Sequence, residues 1–217
     1  GGTVAFALEC CEHGIIDEGM TGGLTLGWGK SREIVRLVEM IINREGIGDI
    51  LADGVRRAAE RLGKGAERFA VHAGGQELPM HDPRLDGGYG IAYQCEPTPG
   101  RHTISCFMSA MIMAVDTQFP KVAKMLRDAP GKEQQNLIWY AAGSLFMQLL
   151  NGSGVCEFGP FTGAYPLVEY LKLGTGWDMT ADEYLTIGER ILSLRKAFTL
   201  REGGTATYAF TVTTAGD

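Results

Sequence analysis

The stretch that decides the fold class is Ser31–Gly63, which reads SREIVRLVEMIINREGIGDILADGVRRAAERLG. Apolar residues recur in it at the spacing of an amphipathic helix, in two runs separated by a glycine-rich turn. Ser31 and Asp49 are the predicted N-caps, because their side chains accept hydrogen bonds from the free N–H groups of a first helical turn. Gly46 and Gly63 are the predicted helix ends. The pattern therefore predicts a pair of helices in a helical hairpin.

Outward from this pair, the helical periodicity continues through most of the chain. The longest apolar run, Leu137–Leu150, contains Gly143 and Gln148 and is too short to span a bilayer, so we expect a core helix and no membrane insertion. Thr180 and Glu183 have the spacing of a capping box and predict a helix from residue 181 onward. These patterns predict an all-α protein.

The region from residue 69 to residue 100 is different, because glycine and proline interrupt it repeatedly and titratable side chains are frequent. Ordered irregular segments of this length usually serve a function. We therefore expect a long irregular Gly/Pro-rich segment here.

Composition excludes several classes of function. The 217 residues carry 20 lysines and arginines against 26 acidic residues, a net charge of −6, which argues against a nucleic-acid-binding protein. Five cysteines without a CxxC pair argue against a disulfide scaffold and favour a reducing, cytoplasmic location. The chain starts at Gly1 without a methionine or a signal peptide, so we expect a processed protein or a piece of a longer one.

The residues with the strongest chemical potential are a few histidines and one cysteine. His81 and His102 lie in or beside the irregular segment, where loop side chains can converge on a pocket. Cys156 follows a glycine-rich break after the longest predicted helix, a position that suits a metal ligand. One cysteine cannot hold a metal cluster alone, so the remaining ligands would come from outside this chain. The other cysteines are predicted to be small core residues: Cys10, Cys11, Cys95 and Cys106.

Several blocks of this sequence together resemble the C-terminal region of the tungsten-dependent aldehyde:ferredoxin oxidoreductase family. The resemblance covers residues 1 to 203, and Arg-Glu-Gly-Ile-Gly-Asp and His-Asp-Pro-Arg are its most specific parts. The blocks are Ala5–Cys10, Gly27–Gly29, Arg44–Val55, Gly63–Glu67, Glu77–Arg84, Gly188–Ile191 and Arg201–Gly203.

The resemblance implies a cofactor and an architecture of two packed helical lobes, residues 1–72 and residues 73–217, with the long irregular Gly/Pro-rich segment beginning near their boundary. Members of the family have an N-terminal β-rich domain with a tungsten (or molybdenum) bis-pterin cofactor, which two helical domains close over, and a [4Fe–4S] cluster beside one pterin. Cys156 matches the fourth cluster ligand. Asn151, Gly154 and Val155 match the adjoining pterin-binding motif. Asn151 stands where the family has an aspartate, which removes a charge from that contact.

His102 matches the family histidine that lines the substrate pocket, so the resemblance implies a catalytic role in oxidising aldehydes to carboxylic acids. The electrons would pass through the cluster to ferredoxin. The N-terminal cofactor-binding domain is not in this chain, so we expect the chain alone to be inactive and to bind neither cofactor. A homodimer is one expected assembly. Reduction of a carboxylate or an aryl-CoA remains an alternative activity, and a stand-alone all-α interaction module remains an alternative class.

Overall fold

The computed structural model describes residues 1–102, 107–159 and 165–208, apart from the side chains of residues 107–109. Over these ranges nearly all of the regular secondary structure is helical, which confirms the all-α class. The helices are α1 (Gly2–Glu12), α2 (Ser31–Asn43), α3 (Ile47–Leu51), α4 (Val55–Leu62), α5 (Gly87–Cys95), α6 (Phe107–Ile112), α7 (Val115–Gln118), α8 (Pro120–Asp128), α9 (Lys132–Gly152), α10 (Leu167–Thr175) and α11 (Ala181–Arg201). A 3-10 turn at Ala66–Phe69 and an antiparallel pair of two-residue strands, β1 (His72–Ala73) and β2 (Gln76–Glu77), complete the described elements.

The chain divides into two compact units, Gly1–Met80 and His81–Thr207. Each unit has its own buried apolar cluster, one built around α1 to α4 and the other around α6 to α11. The lobe boundary expected between residues 72 and 73 stays a prediction.

In the first unit, the stretch Ser31–Gly63 forms α2 as expected, but the helix starts one residue earlier than an N-cap at Ser31 implies. Lys30 is the N-cap, and Ser31 is already the first helical residue. The second predicted helix is divided into α3 and α4, because Gly54 adopts φ +87°, a value that no helix contains. Asp49 is not an N-cap, because α3 already begins at Ile47. It lies inside α3 and pairs with Arg44 at 3.1 Å and with Arg61 at 2.9 Å.

The turn between α2 and α3 explains why the Arg-Glu-Gly-Ile-Gly-Asp block has its particular residues. Arg44 ends α2 in the left-handed conformation, and its guanidinium also reaches Asp53 at 2.6 Å. A Cβ on Gly48 would lie 2.1 Å from the backbone oxygen of Met40. Only glycine therefore lets α3 approach the end of α2 this closely. The residues of this block therefore hold α2 and α3 together in the first unit.

The second unit is built on α9 and α11. Phe146 and Leu150 of α9 and Tyr184 of α11 are fully buried in its core. The capping box at the start of α11 is confirmed: the Thr180 hydroxyl accepts from the Glu183 N–H, and the Glu183 carboxylate accepts from the Thr180 N–H at 2.8 Å. These helices set the position of everything described below.

The segment predicted to be irregular is partly helical. Asp86 caps α5 by accepting the Gly88 N–H at 2.8 Å, and the helix runs on to Cys95. Its first turn contains Gly87, Gly88 and Gly90, three of the glycines that suggested loop structure. Cys95 is exposed, so its assignment to the core was wrong, whereas Cys10 is buried as expected. Cys11 is half-buried, and Cys106 lies outside the described residues.

Candidate functional site

The end of α9 carries the motif Asn151–Cys156, which contains the predicted cluster ligand Cys156. The helix ends at Gly152, and Gly154 adopts φ +71°, a conformation that suits glycine. The Val155 N–H then closes the turn on the carbonyl of Leu150 at 3.3 Å. Val155 packs against the core, and this leaves Cys156 exposed at the helix end.

An open depression of about 630 Å³ lies beside this turn, a volume within the range of small-molecule sites. It brings together Asn151 and Cys156, two of the four residues assigned to the cofactor motif. Its lining residues are Arg101, Gln148, Asn151, Gly152, Cys156, Glu157, Phe158, Ile191 and Arg195. Val155 and Gly154 do not line it, so their role is to shape the turn that presents their neighbours.

Two guanidinium groups make the depression suitable for an anionic ligand. Arg195 is half-buried, and its guanidinium donates to Gln148 Oε1 at 2.6 Å and to Thr98 Oγ1 at 3.2 Å. Arg101 also lines the depression, and its side chain is exposed to solvent. Burial raises the pKa of the Glu157 carboxyl, which lies in the same depression.

His102 lies in a cluster of aromatic rings. Its ring centroid is 4.3 Å from that of His81, with the planes at 55°. Tyr89 of α5 stacks on His81 at 4.9 Å, and the buried Tyr93 donates its hydroxyl to the His81 carbonyl at 2.8 Å. Burial, and then the proximity of His81, lowers the pKa of His102. His102 is therefore neutral near pH 7, as a proton acceptor requires.

A buried carboxylate holds the segment that leads to His102. Glu96 is 1% exposed and accepts the hydroxyls of Ser144 at 2.5 Å and of Tyr140 at 3.3 Å, both from α9. The Thr199 hydroxyl of α11 donates to the Pro97 carbonyl at 3.1 Å. Together with the bond from Arg195 to Thr98, these contacts tie the stretch from residue 96 to residue 98 to both long helices.

The structure thus places the predicted site residues in two parts of the second unit, an aromatic cluster and an open depression. His102 is in the aromatic cluster, and Arg101, the residue before it, lines the depression that contains Cys156. Arg195 and Glu96 were not selected from the sequence. A buried glutamate and an arginine on a helix have no motif, and only the packing of distant segments shows what they contact.

Two features are absent from the described ranges. No group of three or more histidine, cysteine, aspartate or glutamate side chains is arranged there to hold a metal ion. None of the helices in the same ranges combines the length and hydrophobicity needed to cross a membrane.

Comparison with known proteins defines the class. The family described as aldehyde ferredoxin oxidoreductase, domains 2 and 3, matches residues 1–212. The chain therefore belongs to the aldehyde ferredoxin oxidoreductase family. The helical fold agrees with this membership.

The relatives are longer proteins. The tungsten-containing aldehyde ferredoxin oxidoreductase of Pyrococcus furiosus is 32% identical over 205 residues, which cover 94% of this chain and 32% of that protein. The enzyme of the same name from Pyrococcus horikoshii is 32% identical over 210 residues, with the same coverage. The aliphatic sulfonate oxidoreductase, WOR-like subunit, of Pyrococcus furiosus is 27% identical over 210 residues. The chain spans about a third of the length of these relatives.

A solved structure shares the fold. The active-site complex BamBC of benzoyl coenzyme A reductase, in complex with 1,5-dienoyl-CoA, superposes with a TM-score of 0.68 at 24% identity. The match covers 93% of this chain and 35% of the other.

Proposed function

We propose that this chain supplies the two helical domains of a bis-pterin oxidoreductase that oxidises aldehydes to carboxylic acids and passes electrons through a [4Fe–4S] cluster to ferredoxin. The observation that carries the proposal is the exposed Cys156 in an open depression that also contains Asn151, Arg101 and Arg195. Tungsten is the metal named for the relatives at 30–32% identity, with molybdenum as the alternative.

The residues of the depression fit such a cofactor. The Cys156 thiol is accessible and supplies one cluster ligand, and the other ligands come from a partner domain. Asn151, Arg101 and Arg195 offer hydrogen-bond donors for the polar edge and phosphate of a pterin. When bound, the metal and the cluster supply two-electron oxidation and one-electron transfer.

This chain contributes proton chemistry through His102. Oxidation of an aldehyde with water yields a carboxylic acid, two electrons and two protons, so a base near the carbonyl assists the reaction. A neutral imidazole accepts a proton from the attacking water and holds it at a ring nitrogen. The lowered pKa of His102 supports this role, because it keeps the ring unprotonated near neutral pH. Glu96 and Arg195 hold the segment that carries the ring.

Replacement of Cys156 tests the cofactor part of the proposal. In the complete oxidoreductase, Cys156→Ala should lose the iron–sulfur cluster, measured as iron content and as the cluster's visible absorbance. The matched control is Cys95→Ala, because Cys95 is also exposed in the second unit but lies at the end of α5. Full iron content in Cys156→Ala would refute this ligand assignment.

Replacement of His102 tests the catalytic part. His102→Ala should lower the turnover of an aldehyde by about 10²-fold or more while metal content stays the same, since general base catalysis contributes roughly 10² to 10⁴. His13→Ala is the control, because His13 stacks on Phe69 in the first unit. An unchanged kcat in His102→Ala would remove the proposed role of this residue.

Substrate class, partners and location are finer parts of the same proposal. Aldehyde oxidation is favoured because it is in the name of relatives at 30–32% identity. The benzoyl coenzyme A reductase complex keeps aryl-CoA reduction as the second candidate. Measuring aldehyde oxidation with ferredoxin against reduction of an aryl-CoA distinguishes them. We further propose a cytoplasmic location, a partner domain that carries the pterin, and a homodimeric assembly, which sedimentation analysis of the complete enzyme would test.

A further inference from the structure

Beside the depression, a pair of histidines has a geometry that the proposed function does not yet use. The ring centroids of His81 and His102 are 4.3 Å apart and the planes are tilted by 55°. His81 is exposed to solvent, whereas His102 is half-buried. The pair therefore joins the interior of the site to water.

The position of His81 is held from two sides. The Tyr93 hydroxyl donates to its backbone carbonyl at 2.8 Å, and Tyr93 is itself fully buried. Tyr89 stacks on the imidazole at 4.9 Å, with the planes within 18°. The edge of Tyr89 also faces His102, with the ring centroids 6.3 Å apart. One tyrosine thus supports both imidazoles, and the two rings keep a fixed relation.

The neighbouring charges do not neutralise the pair. Asp82, the nearest carboxylate in sequence, accepts Arg84 Nε at 3.0 Å and Arg84 Nη2 at 2.6 Å, so it forms its own bidentate ion pair. Among the described residues, neither imidazole forms an ion pair with a carboxylate. The titratable and charged groups around the pair are Tyr89 and Tyr93 of α5, Asp82 and Arg84 beside His81, and Arg101 beside His102.

We propose that His81 is a positioning residue whose charge is coupled to that of His102, so that a proton on either ring opposes protonation of the other. Two imidazoles at this distance resist holding two positive charges, because like charges that are close together disfavour each other. His102 therefore takes up a proton more readily while His81 is neutral, and only an N–H bond forms in this step. The inference rests on the proposed function of His102 as the base.

The test is a histidine NMR titration of the 217-residue chain. The chain has only four histidines, so four ring C2–H signals are expected, and His→Gln variants assign them. In the wild-type chain the His102 signal should titrate in two phases, because it reports the charge of its neighbour. In His81→Gln it should titrate in one phase, with a midpoint higher by about half a pH unit or more.

A second variant separates charge from packing. His81→Lys keeps a positive charge at the position, so the His102 midpoint should stay at or below its wild-type value, while His81→Gln raises it. A purely structural role for His81 would move both variants in the same direction. His13→Gln, which changes a ring in the first unit, should leave the His102 midpoint unchanged. Circular dichroism of each variant confirms that the helices are retained.

The result that overturns the inference is a His102 midpoint that is the same in wild type, His81→Gln and His81→Lys. The complete enzyme gives an independent measurement: His81→Gln should shift the acidic limb of the kcat/KM profile to higher pH, because the like charge beside His102 is removed. Failure of the proposed function gives another result, namely full turnover in His102→Ala. A coupled titration with full turnover in His102→Ala would keep the histidine pair and reject its catalytic use.

Discussion

The backbones of α9 and α11 approach each other closely at Gly188, and this contact gives a prediction with a calculable magnitude. A Cβ on Gly188 of α11 would lie 2.1 Å from the backbone oxygen of Leu145 in α9. Carbon and oxygen atoms do not approach below about 3.0 Å, so Gly188→Ala must push the two helices apart by about 1 Å. The obstacle is backbone, which cannot rotate away as a flexible side chain does.

We expect a net loss of about 1–3 kcal/mol in the free energy of unfolding of the second unit. Overpacking of a core typically costs that amount. A gap of 0.5–1 Å elsewhere along the helix pair also forfeits a quarter to a half of each dispersion contact. The higher helix propensity of alanine returns at most about 1 kcal/mol. For a chain of this size, each kcal/mol lowers Tm by about 2–4 °C.

The assay is hydrogen exchange followed by mass spectrometry, combined with thermal unfolding by circular dichroism. In Gly188→Ala, peptides from α9 and α11 should exchange faster, while peptides from α2 in the first unit keep their wild-type rates. The matched control is Gly174→Ala in α10, where the added Cβ has nothing within 4 Å, so stability should be unchanged or slightly higher. A Gly188→Ala chain as stable as wild type, with unaltered exchange in α9 and α11, would refute the close helix contact.

Three further changes test other contacts of the described residues. Gly48→Ala should destabilise the first unit by about 1–3 kcal/mol, because its Cβ would lie 2.1 Å from the backbone oxygen at the end of α2, and a urea titration measures this loss. Thr180→Ala should cost about 1 kcal/mol by removing the cap of α11. The Thr180 N–H, and then its hydroxyl, hold the pKa of Glu183 below its usual range, so their stabilisation is present above the ordinary glutamate pKa and is lost as pH falls through the lower folded value. Thr180→Ala removes only the hydroxyl's share, so in an acid titration the stability difference between wild type and variant should narrow, and a difference that does not change with pH would contradict this. Burial raises the pKa of the Cys10 thiol to about 12, so iodoacetamide at pH 8 should modify Cys156 and spare Cys10, as peptide mass spectrometry can show.

Part of the site was accessible from the sequence because it consists of local motifs. The turn from Asn151 to Cys156 is a helix end in both the sequence pattern and the structure, and the capping box at Thr180 needs only residues three apart. Gly54 shows the limit of such local reading. Its φ of +87° divides a periodic pattern into α3 and α4, and periodicity alone does not reveal a glycine's backbone conformation.

The sequence by itself determined the helical class and the family, and it predicted Cys156 on a turn at a helix end and His102 as a candidate catalytic residue. Each of these depends on residues near one another in the chain. Only the tertiary structure decided that His81 lies beside His102, that Glu96 is buried against α9, and that Arg195 reaches both Gln148 and Thr98. These contacts join segments that are distant in sequence, and the packing of α5, α9 and α11 brings them together. A side chain's charge state and partners depend on such packing, so they could not be deduced from the order of residues alone.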